Sequence, residues 1–509
     1  MSWTSTFIDL LGSSQTRMYL AEVVTIGSEP GINGFKIASH YGLSGDDSGK
    51  ISMITTAGHS IRPGSWSSVV GAFDVFVTSV GDVLGNIQRG STIQVRMGFR
   101  GWATSAFEPI LLGRVTRITR SGRSPQWCIS CLDLYSATSY RIDVANSSGL
   151  FDELGTTTLT ANSAIGDTTY DGVAFSNFER ESGGANGAVL VATAAGAPYF
   201  RAWSALTATT LTIDAAGATL LGTTDIGASS ADIVYEVAYM EGHPLTIARK
   251  ILLSTGTASA NGAYDVYPNS WGLGIGQQYL DEIDMDRVLT IVQPASGSYV
   301  IKVGQLDPVD DPRAWMEATI LAPFGLFFSM RQGLLTIRAA QDPTSAGAYT
   351  AGFELVLADV IEIEQWDAWD PDAPAEYTIV TTTAYGTSVS TTATVAATLP
   401  AYEEIVIDVS TCLFDNKTAV LTEIGTRLGV YYTRIPELFR ARVKLRAAVL
   451  AAGDIITVTL GAPWLVSRRD WPGGYDGRRA VVTAIQVDYW RGFCTIDVRV
   501  YPDGEGAWE

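Results

Sequence analysis

Phe73-Asp74-Val75-Phe76-Val77, Ile93-Gln94-Val95-Arg96-Met97, Leu112-Gly113-Arg114-Val115-Thr116-Arg117-Ile118 and Trp127-Cys128-Ile129-Ser130-Cys131-Leu132 are runs in which apolar residues recur at period two. That period lays one face of an extended chain against a core, so the four runs read as β-strands. A spacing of about a dozen residues between them suggests a small barrel or sandwich. Gly98, Gly101 and Gly113 sit where strands turn, and Gly122 with Pro125 supplies a hairpin loop. The pattern returns near the other end in Ala441 to Arg446, Ile455 to Leu460, Ala480 to Tyr489 and Phe493 to Val500, the last two joined through Arg491-Gly492. The chain therefore reads as mainly β with some α, with a barrel-like domain at each end.

Between these ends the composition changes twice. Residues 149–240 are rich in Thr, Ala and Gly, with strand-like fragments at Ala188 to Ala192 and Thr209 to Ile213, and read as a β-rich insert. Residues 241–345 mix helix and strand. A helix is predicted from His243 to Leu253 around Pro244, and another from Pro312 to Leu321 after the acidic turn Asp307 to Asp311. Gly325 to Arg338 follows as a hairpin. The expected division is 1–148 (first barrel), 149–240 (insert), 241–345 (mixed α/β) and 346–509 (second barrel), with one helix at Thr418 to Gly429. No repeat of fixed period is visible, which disfavours a solenoid or propeller.

The 509 residues include 34 Lys+Arg and 53 Asp+Glu, a net charge of −19 that repels phosphate and argues against sequence-specific nucleic-acid binding. Only six of the basic residues are lysine, and arginine is the cation enriched at protein interfaces. Four cysteines in such a length are not a disulfide framework. Met1-Ser2-Trp3-Thr4 begins no secretory signal, so cytoplasmic synthesis is expected. The uncharged stretch Ser182 to Phe200 is too polar, and interrupted by Pro198, to span a bilayer.

Chemical motifs are sparse. Cys128 and Cys131, three apart in a strand, point to opposite faces, so a metal cluster with Cys412 and Cys494 would require that strand to break; buried apolar cysteines are the simpler reading. His40, His59 and His243 are too scattered for a zinc hydrolase, and His59 is placed in a loop. Gly272-Leu273-Gly274-Ile275-Gly276 fails the dinucleotide fingerprint, because Gln277 and Tyr279 occupy the candidate third positions. Two acidic runs, Asp281-Glu282 with Asp284 and Asp286, and Asp367 with Asp370 and Asp372, read as solvated loops rather than calcium sites or paired catalytic carboxylates. No catalytic residue, cofactor site or metal site is assigned, and the chain is not expected to be an enzyme.

One segment stands apart. Residues 461–479 form an expected long loop carrying Trp464, Arg468, Arg469, Trp471, Tyr475, Arg478 and Arg479. Aromatic side chains interleaved with arginines have the composition of an interface hot spot, so these seven are the candidate contact residues. The same composition also suits a loop that clips onto its own barrel.

Together these pieces resemble bacteriophage tail hub proteins. The likeness rests on Ile61-Arg62-Pro63-Gly64-Ser65-Trp66-Ser67, Gly71 to Val75, Arg89 to Phe99, Gly113-Arg114-Val115 and Leu132-Asp133 for the first barrel. Arg313-Ala314-Trp315 to Ile337-Arg338 carries it for the middle, and Gly453 to Val458 with Ala480 to Val500 for the second barrel. The resemblance implies a structural virion protein, made in the host cytoplasm and built into the tail tip or baseplate. It would be a homotrimer with two tube-like barrels per subunit, forming a pseudo-sixfold ring that continues the tail tube. Its neighbours would be the distal tail ring, tape measure and tip or fibre proteins, and DNA would pass during ejection without specific binding. The insert departs from a minimal hub. Alternatives are a hexameric distal tail ring, a tail-associated cell-wall hydrolase or carbohydrate-binding protein using Trp366 and Trp369, and an iron–sulfur tail-tip protein.

Overall fold

A computed structural model describes residues 4–11, 20–27, 35–38, 51–55, 58–63, 66–78, 87, 89–99, 101–120, 126–134, 154–175, 178, 187–194, 196–213, 220, 223–253, 271–293, 299–345, 352–367, 376–384, 387–390, 404–409, 413–414, 417–433, 436–461 and 474–501. The fold is mainly β with some α. The four runs that open the sequence reading form the middle of a curled, seven-stranded antiparallel sheet. Its order is Phe35–Ala38, Leu20–Gly27, Thr92–Phe99, Glu108–Arg120, Gln126–Asp133, Ala72–Thr78, Ile51–Ile54. The period-two residues Phe73, Val75, Val77, Ile93, Val95, Met97, Ile129 and Cys131 all face one core. Gly113 lies where two strands press together: a Cβ there would stand 2.1 Å from the Leu132 carbonyl oxygen. The short helix Ser5–Leu11 lays Phe7 and Leu11 on this core, with the Phe7 ring edge-on to Phe99 at 5.7 Å.

The second sheet runs Glu354–Val356, Ile455–Gly461, Gly474–Asp488, Phe493–Val500, Glu437–Lys444, Val360–Asp367. Its two outermost strands are consecutive in sequence, joined only by the 3-10 turn Leu357–Asp359. Six flat strands would separate those edges by about 24 Å, whereas the connection reaches roughly 14 Å. The sheet must therefore curl until its edges approach, and it wraps Phe439, Ala441, Val443, Ile456, Val458, Val482, Cys494, Ile496 and Val498 inside. These residues share one continuous apolar cluster with the core of the first sheet. The expected 461–479 loop is shorter than its sequence suggests. Pairing resumes at Gly474, opposite Gly461, and continues as Leu460 with Tyr475 and Val458 with Arg478, because Tyr475 takes an inward position in the ladder.

A hairpin arm, Gly58–Arg62 and Ser67–Val70, leaves the first sheet between Ile51–Ile54 and Ala72–Thr78. Its neck is closed by Gly71 N–H donating to the Gly58 carbonyl. Beyond the neck the arm belongs to the other half of the molecule. Gly58, His59 and Ser60 pair with Gln486, Ile485 and Ala484 of the second sheet. His59, expected in a loop, is thus in a strand and buried. At the arm's tip Trp66 is 1% exposed with φ of 50°, stacked on Phe327 at 5.9 Å and edge-on to Tyr431 at 4.9 Å.

The insert is a sheet ordered Thr169–Asp171, Thr210–Ile213, Tyr199–Leu206, Gly187–Ala192, Ile233–Gly242, followed by Ile301–Gln305 and Leu413–Phe414. The strand Ile233–Gly242 pairs with Gly187–Ala192 on one edge and Ile301–Gln305 on the other, and so carries the insert into the middle segment. The expected helices are present as Pro244–Leu253, Lys417–Thr433 and Pro312–Trp315, the last continuing as a π-helical turn, Met316–Leu321. The hairpin Leu326–Arg331 and Leu334–Ala339 turns through Gln332 and Gly333, with φ of 53° and 75°. The first acidic run is not a solvated loop: Asp281 caps the helix Glu282–Ile291, and Asp284 on its first turn is fully buried.

Candidate inter-subunit surface

Of the seven contact residues proposed from sequence, Trp464, Arg468, Arg469 and Trp471 lie outside the described residues. Tyr475 is 2% exposed within its own subunit; its hydroxyl donates to the buried Glu437 carboxylate and accepts the Trp366 indole N–H at 3.4 Å. Arg478 and Arg479 are half-buried on the same strand, and Arg479 donates to the Ser345 carbonyl at 2.5 Å. The structure therefore separates the set: Tyr475 packs inward, and the two arginines stand at the barrel's surface. Trp366 is half-buried and packs against the barrel core, and Trp369 lies outside the described residues.

The outer face of the second barrel is charged. Along Glu437–Lys444 burial alternates, with Phe439, Ala441 and Val443 turned in and Arg440, Arg442 and Lys444 turned out. Arg440 grips Asp497 with two parallel bonds of 2.6 and 2.7 Å, which hold its pKa above the ordinary value. Arg442 forms ion pairs with Glu364 at 2.6 Å and Glu362 at 3.1 Å. Arg440, Arg442, Glu364 and Asp497, with Asp488, Arg491 and the arm residues Gly58, His59 and Ser60, line a cleft of about 640 Å³. Each cation that faces it from this strand is matched by a carboxylate, so the face offers polyanions little net attraction.

Behind that face a buried ionic cluster fastens the middle segment to the barrel. Arg338, 4% exposed at the end of the hairpin, donates to Asp284 at 2.8 Å and to Asp454 at 2.7 Å. Asp284 also accepts from Arg287 and from the Thr336 hydroxyl. Burial alone would raise the Asp284 carboxyl, but the Arg338 and Arg287 guanidiniums hold it below the usual carboxylate range. Burial likewise works against charge on Arg338, and Asp454 and Asp284 more than offset it. His243 illustrates a neutral buried group: its Nδ1 accepts the Leu245 N–H, so Nε2 carries the proton given to the Val292 carbonyl.

No family model matches the sequence, and no curated protein matches it. Three solved structures align with the chain over most of their length. The 43 kDa tail protein of prophage MuSo2 from Shewanella oneidensis is 12% identical, with a TM-score of 0.39, covering 95% of this chain and 98% of that one. A tail protein from Neisseria meningitidis MC58 is 10% identical, with a TM-score of 0.37 and coverages of 95% and 97%. Prophage tail protein gp18 from Listeria monocytogenes EGD-e is 7% identical, with a TM-score of 0.35 and 95% of each chain covered.

The cysteines fall as their spacing requires. Cys131 is buried on the core side of its strand, Cys128 is half-buried on the other, Cys494 is buried in the second barrel, and Cys412 lies outside the described residues. Burial pushes the Cys131 and Cys494 thiols up, which makes them inert. Among the described residues no three His, Cys, Asp or Glu side chains form a group able to hold a metal ion, and no helix is long and apolar enough to cross a membrane. Sequence reading gave Trp66, Arg338 and Asp454 no packing or ion-pairing role and placed Asp284 in a solvated loop. The available signal was Arg338 itself, a charge ending the apolar run Leu334-Leu335-Thr336-Ile337, every residue of which is buried.

Proposed function

We propose that this chain is a structural virion protein, the central hub of a phage tail tip or baseplate. It assembles as a homotrimer, continues the tail tube and lets DNA pass during ejection. The observation that carries this reading is the packing of two curled, mainly antiparallel sheets on one continuous core within a single chain. Three such chains present six barrel-like units in a ring, with the relation of each pair fixed internally. The net charge of −19 and the paired arginines of the outer face suit a wall along which phosphates slide. Arg478 and Arg479, with Trp464, Arg468, Arg469 and Trp471, form the contact with neighbouring tail subunits.

Light scattering on the purified protein tests this directly. A trimer of 54.4 kDa subunits is expected. A hexamer would assign the chain to the distal tail ring, and a stable monomer would remove the hub reading.

A further inference from the structure

Beyond the proposed role, the joint between the two barrels contains a cavity lined mostly by apolar residues, with His59, Asp133, Gln332 and Tyr489 as its polar members. It measures about 70 Å³ and lies where four parts of the chain converge. The first sheet contributes Ile110 to Leu112 and Asp133, and the hairpin tip contributes Gln332 and Gly333. The second barrel contributes Ile485 and Tyr489, and the arm contributes His59. His59 is 6% exposed; its ring faces the Phe328 backbone without closing a hydrogen bond of ordinary geometry, and neither ring nitrogen has another protein partner at bonding distance. It stands directly across the ladder from Ile485, and these two residues line both this cavity and the larger outer cleft. The pair is thus the partition between them.

We propose that this cavity is a binding site for a small cluster of structural water molecules, anchored by His59 and separated from the outer cleft by the His59–Ile485 pair. A buried polar group without a partner costs about 1–3 kcal/mol, and a water needs only about 10–15 Å³ of such space together with two to four polar partners. The volume admits several waters, and the imidazole, the Asp133 carboxylate and the Gln332 and Tyr489 side chains supply the polar lining. Burial first, and then the Arg338 guanidinium, push His59 down to about 3, partly opposed by the Phe328 backbone. The ring is therefore neutral and offers one donor and one acceptor. The core shared by the barrels is apolar, so this cavity is the wet point of contact between them, whatever the oligomeric state of the protein.

The sign of one substitution tests the proposal. If the cavity is hydrated, His59→Leu removes the anchor of the cluster and raises the unfolding equilibrium constant about fivefold or more, whereas His59→Gln, which keeps a donor and an acceptor, changes it much less. If the cavity is dry, the same His59→Leu change relieves an orphaned imidazole and stabilises the protein, which would overturn the proposal. Oxygen-17 magnetic relaxation dispersion on the wild-type protein gives an independent readout should His59→Leu fail to fold. Long-lived internal waters that disappear in His59→Phe are expected, and an unchanged dispersion in that variant would refute the site. Stoichiometric zinc retained by the purified wild type and lost in His59→Gln would also refute it, by assigning the cavity to a metal.

Discussion

Arg338 donates to Asp454 at 2.7 Å, joining the last strand of the middle hairpin to the turn that opens the strand Ile455–Gly461. The same guanidinium holds Asp284 on the helix behind it. Arg338→Met should cost about 3–5 kcal/mol in denaturant unfolding, because it leaves two buried carboxylates short of their counter-charge. Adding Asp284→Asn and Asp454→Asn should recover part of that loss, a non-additivity that a mutant cycle would measure.

Trp66 is the pin that fastens the arm. It touches Phe327 of the hairpin and Tyr431 of the helix Lys417–Thr433, and Tyr431 in turn meets Tyr501 at 5.3 Å. Trp66→Ala should destabilise the chain by about 3–5 kcal/mol and abolish much of the near-UV circular dichroism from this aromatic group. Trp66→Phe should cost distinctly less.

Acid should weaken the fold before its carboxylates titrate. His59 and His243 are depressed by burial to about 3 and about 4, so below pH 6.5 the unfolded chain binds protons that the folded chain refuses. Stability is therefore complete above pH 6.5 and falls as pH drops toward 4, by about 1.4 kcal/mol per pH unit for each histidine. His243→Asn preserves a side-chain acceptor for the Leu245 N–H and should reduce this slope by about half. Urea midpoints between pH 4.5 and 7.5 would show it.

Gly453 and Gly352 separate strain from crowding. Both have positive φ, 89° and 66°, but a Cβ on Gly453 would meet the Phe327 ring at 2.4 Å, whereas nothing lies within 4 Å of one on Gly352. Gly352→Ala should cost about 1 kcal/mol from backbone conformation alone, and Gly453→Ala about 2–4 kcal/mol. Equal losses in thermal unfolding would contradict the packing described here.

Local pattern settled the strictly alternating strands of this protein and three of its helices, and passed over strands such as Tyr199–Leu206 and Ile233–Gly242 and the helices Ser5–Leu11 and Glu282–Ile291. Period two in Phe73 to Val77 and in Phe493 to Val500, and the Pro244 and Asp311 signals at helix starts, act within a few residues and need no distant partner. Local pattern misplaced His59 and Asp284, because a charged or polar residue reads as wet unless its buried partner is known, and the partners lie far along the chain. Nor could periodicity announce that Trp66 leaves its own sheet to pack on the middle hairpin and the helix Lys417–Thr433, or that Leu357–Asp359 draws two strand edges together around a barrel. Backbone propensity and hydrophobic alternation are near-neighbour properties, written residue by residue. Ion pairing, aromatic stacking and sheet closure depend on which remote surfaces meet, and the tertiary structure decided those.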